Sequence, residues 1–141
     1  MALIARYLID TSAAARMPQP VVAERLAPLI RSGLVATCAS LDAEALHSAR
    51  GSDDYDRIRE SRRRTYEYLP LNDDHWARAF DAQSVLARSG RHRGVGIADL
   101  LTAVIAEQHR LTLIHYDSDF DIAADVVDFE GSWVVPRGSI P

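Results

Sequence analysis

Two acidic residues of this chain follow apolar runs that lie far apart in the sequence. Asp10 comes directly after Tyr7-Leu8-Ile9, and Asp117 follows the run at 111–116. Continuous apolar runs of this kind are typical of strands buried on both faces of a parallel sheet. Ligands of such sheets bind just outside the carboxyl ends of the strands, so the two carboxylates are candidates for one shared site. Taken alone, each aspartate could instead cap a helix or form part of a turn.

Two further acids belong to predicted helices. Asp99 lies in the first turn of a strongly apolar helix that runs from Ile97 to about Gln108, directly before the second of these strands. Glu44 lies on the helix that follows another strand at 34–37, with Ser40 as its predicted N-cap, and reaches the same sheet edge from the first turn. A right-handed crossover brings the start of the Asp99 helix to that edge. The alternatives are an exposed helix position for Glu44 and a helix-dipole contact for Asp99.

Four carboxylates in one place repel one another unless a cation neutralises them. Hard divalent cations with a preference for oxygen ligands suit such a set, which indicates one or two Mg²⁺ or Mn²⁺ ions. The five histidines show no ligand-like pairing, so zinc is not indicated. The single cysteine, Cys38, lies in an apolar run and is interpreted as a buried structural thiol.

Length and composition set the class of protein. A chain of 141 residues with 48% hydrophobic and 26% charged residues is typical of one soluble globular domain with a real core. The apolar runs are too short to span a bilayer, and the N-terminus has no signal-peptide pattern. One cysteine fits a reducing compartment, so we expect a cytoplasmic protein with no membrane contact.

Strands alternate with helices along the chain, without repeats or a linker, which predicts an α/β fold with a parallel sheet covered on both faces. A helix is predicted to begin near Asn72. It carries an apolar stripe at helical spacing, formed by Trp76, Ala79, Phe80, Val85 and Leu86.

Basic charge is concentrated in the middle of the chain, although the net charge of −4 argues against a general polyanion binder. All sixteen basic residues are arginines, five of them between 57 and 64. Arginine suits bidentate contact with phosphate, but such a run is also typical of a solvated helix face. The candidate nucleic-acid contacts are Arg62, Arg63, Arg64, Arg91 and Arg93.

Four segments together carry a family resemblance. They are Tyr7-Leu8-Ile9-Asp10-Thr11-Ser12, Ala36-Thr37-Cys38 leading to Glu44, Gly96-Ile97-Ala98-Asp99-Leu100-Leu101-Thr102-Ala103, and His115-Tyr116-Asp117-Ser118-Asp119-Phe120-Asp121. In this order and spacing the chain resembles PIN-domain ribonucleases of the VapC type, the toxins of bacterial toxin–antitoxin pairs. The resemblance implies a single PIN domain over residues 1–141, with three α/β/α layers and a short central parallel sheet.

The resemblance also implies Mg²⁺- or Mn²⁺-dependent cleavage of RNA, a homodimer, and neutralisation by a small VapB-type antitoxin. The positions that match the acidic set of the family are Asp10, Glu44, Asp99 and Asp117. Ser12 matches a hydroxyl position that supports the first aspartate, and Asp119 matches a position that binds a second metal or an ordered water. The match is poor over 52–64, which leaves transfer, ribosomal and messenger RNA all open as substrates.

Two other functions compete with the nuclease. A small-molecule phosphohydrolase with an aspartate nucleophile needs a second aspartate two residues later and a lysine, whereas this chain has Ser12 there and no lysine. A PIN-fold module that binds RNA or protein without catalysis is the other alternative, and the presence of all four acids argues against it.

Overall fold

The computed structural model describes residues 3–141, so the first two residues of the expected domain lie outside the described part. Five parallel strands form one sheet in the order β3-β2-β1-β4-β5. The strands are β1 (Tyr7–Ile9), β2 (Val35–Cys38), β3 (Glu67–Leu69), β4 (Thr112–His115) and β5 (Glu130–Trp133). The helices are α1 (Thr11–Ala14), α2 (Pro20–Arg31), α3 (Ala39–His47), α4 (Ser52–Thr65), α5 (Asp73–Arg88), α6 (Ile97–His109) and α7 (Asp119–Ala123).

The central strand β1 is covered on both faces, and this explains its unbroken apolar sequence. Successive side chains of a strand point to opposite faces. Leu8 packs in a cluster with Leu41 of α3 and Ile105 of α6, whereas Ile9 packs with Val22 and Leu26 of α2. Helices therefore lie on both sides of the sheet, which confirms the predicted α/β/α layers.

The order of the strands brings the chemistry to one edge. Because all five strands are parallel, their carboxyl ends lie on the same side of the sheet. Ile9 of β1 is in register with Ile114 of β4. Asp10 therefore lies next to the end of β4, which Asp117 follows by two residues. The predicted placement of these two aspartates at a common edge is confirmed.

The apolar stripe predicted for α5 is only partly buried. Ala79 and Leu86 are fully buried, but Trp76, Phe80 and Val85 are 39%, 53% and 47% exposed. Small side chains let α5 approach α6 closely, so its contact face is built from alanines and Leu86 rather than from the aromatic residues.

The start of α3 also differs from the prediction. The helix begins at Ala39, with Cys38 in the N-cap position, and Ser40 is a buried helical residue rather than the cap. The chain passes from β2 into α3 without a capping turn. Glu44 therefore lies in the second turn of the helix and not in the first.

Candidate metal centre

Five carboxylates meet at the carboxyl edge of the sheet, in two groups of three that share one member. One ligand oxygen each from Asp10, Glu44 and Asp99 lies within 4.8 Å of the other two. The same holds for Asp99, Asp117 and Asp119. The structure thus brings together these five acids, which come from the residue after β1, from α3 and α6, and from the segment that follows β4 and begins α7.

Asp10 is held rigidly at the centre of the edge. It is the N-cap of α1, where its Oδ2 accepts a hydrogen bond of 3.0 Å from the backbone amide of Ser12. Its other oxygen, Oδ1, is buried and has no hydrogen-bond partner among the described residues. A buried carboxylate oxygen without a partner is costly. A cation ligated by Oδ1 would remove that cost, so this atom fits a metal ligand.

The electrostatics of Asp99 support the same interpretation. Burial, followed by the charges of Asp10, Glu44, Asp117 and Asp119, raises the pKa of Asp99 to about 7. A bound divalent cation would oppose both causes by stabilising the ionised carboxylate. The two groups of three contain only carboxylates, which is the donor chemistry that Mg²⁺ and Mn²⁺ prefer.

Thr11 orients Glu44 and was missed by sequence reasoning. The hydroxyl of Thr11 donates a hydrogen bond of 2.7 Å to Oε2 of Glu44, 33 residues away. This contact ties the start of α1 to the second turn of α3 and limits the rotamers of Glu44. The only sequence signal was a hydroxyl residue directly after Asp10.

Replacing Thr11 with valine keeps the shape of the side chain and removes the donor. We expect a 10- to 100-fold weaker affinity for Mn²⁺, because partners that orient a metal ligand have effects of roughly this size. Titration calorimetry measures it, with Thr11→Ser as the control that restores the hydroxyl. Equal Mn²⁺ affinity in the valine and serine variants would show that Thr11 does not orient a ligand.

Asp117 is fixed by contacts on both sides. Its Oδ1 accepts a 2.9 Å hydrogen bond from the amide of Asp119, and its own amide donates to Nδ1 of His115 at 3.2 Å. Burial lowers the pKa of His115, so the ring is neutral at pH 7 and its Nδ1 can accept this hydrogen bond.

Ser12 connects the two aspartates that follow β1 and β4. The hydroxyl of Ser12 accepts a hydrogen bond from the amide of Tyr116 at 2.9 Å. Ser12 therefore contacts Asp10 through its amide and holds the segment of Asp117 through its hydroxyl.

A buried chain of hydroxyl groups sets the spacing of the helices that carry Glu44 and Asp99. Thr102 donates to the carbonyl of Ala98 at 2.9 Å, so its oxygen must accept from Ser40 in their 2.8 Å contact. Ser40 in turn accepts from the Cys38 thiol at 3.1 Å. Burial raises the pKa of Cys38, which keeps this thiol protonated and able to donate.

Replacing Ser40 with alanine breaks this chain at its middle. We expect the free energy of unfolding to fall by about 1–2 kcal/mol, because the Cys38 thiol loses its acceptor and Thr102 loses a donor in a buried site. Urea unfolding measures the loss, with Ser84→Ala on the exposed face of α5 as the control. A change no larger than that of the control would show that the hydroxyl chain does not stabilise the α3–α6 contact.

The candidate RNA-contacting arginines lie outside the acid cluster. Arg62 is largely buried and pairs with Asp42 at 2.8 Å. Arg63 and Arg64 are exposed, as is Arg93, and Arg91 pairs with Asp125 at 2.9 Å. Contact with RNA stays a prediction for all five.

Within residues 3–141, none of the helices has the length and apolar character needed to cross a membrane.

Comparisons with known proteins agree on the family. Residues 7–126 match the family model of the PIN domain. Ribonuclease VapC21 of Mycobacterium tuberculosis is 41% identical over 134 residues, which covers 95% of this chain and 97% of that protein. Ribonuclease VapC51 of the same organism is 36% identical over 135 residues, covering 96% and 97%.

Solved structures show the same fold. A crystal structure of VapBC-5 from Mycobacterium tuberculosis, a member of the VapBC family of toxin–antitoxin systems, aligns with a TM-score of 0.61 and 27% identity over 92% of this chain and 98% of that chain. DNA-bound VapBC from Salmonella typhimurium aligns with a TM-score of 0.70 at 15% identity, over 93% and 99%, which supports the fold alone. The chain therefore belongs to the PIN-domain family, in the group of VapC ribonucleases.

Proposed function

We propose that this chain is the endoribonuclease toxin of a VapBC-type module and hydrolyses RNA phosphodiester bonds with Mg²⁺ or Mn²⁺ at the acid cluster. The observation that carries the proposal is the unpartnered, buried Oδ1 of Asp10 within a group of carboxylates whose oxygens lie within 4.8 Å. The names of the VapC relatives support RNA as the substrate.

In the proposed mechanism the chain holds and orients the reacting groups. Asp10, Asp99 and Asp117 would hold metal, Asp10 in the group with Glu44 and Asp117 in the group with Asp119, and Asp99 belongs to both groups. Asp119 would be available for a second ion or an ordered water. When bound, the cation supplies Lewis-acid activation of the attacking water and neutralises charge on the phosphate. Glu44, whose Oε2 accepts a hydrogen bond from Thr11, would complete the ligand set and would accept the proton of that water.

The chemistry of the products tests this mechanism. Attack by water does not use the ribose 2′-hydroxyl, so we expect fragments with a 5′-phosphate and a 3′-hydroxyl. The ends are identified by treating the fragments with a 5′-phosphate-dependent exonuclease and by mass spectrometry. A 2′,3′-cyclic phosphate would contradict water as the attacking group.

Three further parts of the proposal concern the partner, the oligomeric state and the extent of the domain. A VapB-type antitoxin is the proposed partner, supported by the VapBC relative of known structure. A homodimer is proposed as well, and the exposed Trp76 and Phe80 on α5, with ring centroids 5.9 Å apart, support an apolar contact surface. We also propose one PIN domain over residues 1–141. The family match to residues 7–126 supports it, as does a single sheet whose strands come from residues between Tyr7 and Trp133.

A further inference from the structure

A groove of about 780 Å³ lies beside the acid cluster, between α3, α4 and the edge strand β3. None of the five clustered acids lines it. The side chains that give it its character are aromatic or basic: His47, Tyr55, Arg59, Arg63, Tyr66 and Tyr68.

The floor of this groove, here called the Tyr/Arg groove, is built by internal contacts. Arg62 donates to Asp42 at 2.8 Å and to the hydroxyl of Thr37 at 3.0 Å, and its guanidinium lies 5.0 Å from the ring centroid of Tyr66. The guanidinium of Arg62 is therefore already paired with groups of the protein. The positive charge that the groove offers to a partner comes from Arg59 and Arg63.

The rim of the groove carries exposed groups. Tyr68 is 55% exposed and Tyr55 is 39% exposed, so both rings are open to a partner. Arg59 is exposed, and the side chain of Arg63 is 77% exposed with only a distant ion pair of 3.8 Å to Glu60. Exposed aromatic rings beside arginines are the combination that binds single-stranded nucleic acid, since bases stack on the rings and phosphates pair with the guanidinium groups.

The groove lies level with the acid cluster along the strands. Tyr68 is in register with Thr37, one residue before the end of β2, and β2 is the neighbour of β1. Two interstrand spacings give a lateral offset of about 10 Å between β3 and β1.

A smaller cavity of about 510 Å³ lies next to the groove and reaches Glu44. The groove and this cavity share three lining residues of α3, which are Ala39, Ala43 and His47. The groove therefore adjoins, along α3, the cavity that reaches Glu44.

We propose that the Tyr/Arg groove binds single-stranded RNA next to the phosphate that is cleaved, with bases on Tyr55 and Tyr68 and phosphates on Arg59 and Arg63. This inference rests on the proposed function, because it assigns the substrate tract of the same active centre. The proposal gives the arginines of helix α4 different roles. Arg62 forms the floor of the groove, whereas Arg59 and Arg63 contact the RNA.

Fluorescence anisotropy with a labelled single-stranded RNA of about twelve nucleotides tests the inference. Every protein carries Asp10→Asn and contains Mg²⁺, so that the RNA stays intact. We expect Arg59→Ala with Arg63→Ala to weaken binding about tenfold or more and to reduce the slope of log K against log salt by about 1.4, which is about 0.7 per lost phosphate contact. The matched control, Arg31→Ala with Arg88→Ala, removes the same charge from exposed positions outside the groove.

The tyrosines give a second, charge-neutral test. Tyr68→Ala should weaken binding about tenfold, whereas Tyr68→Phe should bind as tightly as the unsubstituted protein, because stacking needs the ring and not the hydroxyl. Tyr68 is an exposed edge-strand residue, so the fold tolerates both changes.

The outcomes separate this inference from the proposed function. Groove variants that bind RNA as tightly as the control in the Asp10→Asn background, and that cleave RNA as fast as the control when Asp10 is kept, would overturn the inference and leave the nuclease intact. Groove variants with normal RNA binding but without retention of a VapB-type antitoxin would also overturn it, by assigning the groove to a protein partner. Absence of cleavage by the unsubstituted chain, with groove-dependent RNA binding preserved, would contradict the proposed function and support the groove.

Discussion

Asp10→Asn is expected to lower kcat/KM for RNA cleavage by at least about a thousandfold, which is about 4 kcal/mol of transition-state stabilisation. The asparagine side chain has the same size and can still accept the hydrogen bond from the Ser12 amide, so α1 remains capped. What is lost is the negative charge, at the oxygen that has no other partner. Initial rates with a labelled RNA in Mn²⁺ measure the effect.

The control for this variant is Asp81→Asn, which removes the same charge from an exposed position on α5 outside the two acid groups. It should cleave at the rate of the unsubstituted chain. Cleavage by Asp10→Asn within tenfold of that control would mean that Asp10 is not a ligand of the reacting centre.

The second large effect is on stability. In chelator-treated protein the clustered carboxylates repel one another, and the raised pKa of Asp99 reports that repulsion together with burial. Asp99→Asn should therefore raise the Tm of the metal-free chain by roughly 3–5 °C, corresponding to about 1 kcal/mol. Mn²⁺ at a hundred times its Kd should stabilise the unsubstituted chain by about 2.7 kcal/mol and the variant by much less.

Calorimetric scans with and without Mn²⁺ measure both shifts, and exposed Asp81→Asn again serves as the matched charge change. We expect Asp99→Asn to have a higher Tm than the unsubstituted chain in chelator and a lower Tm in Mn²⁺. Equal Mn²⁺ shifts for the unsubstituted chain and Asp99→Asn would contradict a cation shared by the clustered acids.

Much of the fold follows from the sequence, for local reasons. Leu8 and Ile9 pack against helices on opposite faces of the sheet. Because both faces of β1 are buried, its sequence is continuously apolar instead of alternating between apolar and polar residues. The placement of Asp10 and Asp117 then follows from parallel strands, which share one carboxyl edge.

The parts that sequence patterns did not predict depend on long-range packing. Trp76 and Phe80 have the helical spacing of a core stripe, but the alanines of α5 decide which face meets α6. Thr11 and Glu44 are 33 residues apart, and only the fold places hydroxyl and carboxylate 2.7 Å from each other. Ser40 has the residue type of an N-cap, yet the direct passage from β2 into α3 buries it against Thr102.

The requirement for a metal at the acid cluster is measured by RNA cleavage with purified, antitoxin-free protein, before and after chelation and re-addition of the metal. We expect a mixed RNA pool to be cut in Mg²⁺ or Mn²⁺ and EDTA to stop the reaction. Excess Mn²⁺ should restore cleavage by the unsubstituted chain but not by Asp10→Asn. Cleavage that continues in EDTA, or that Asp10→Asn performs at the same rate, would contradict a metal centre built on these acids.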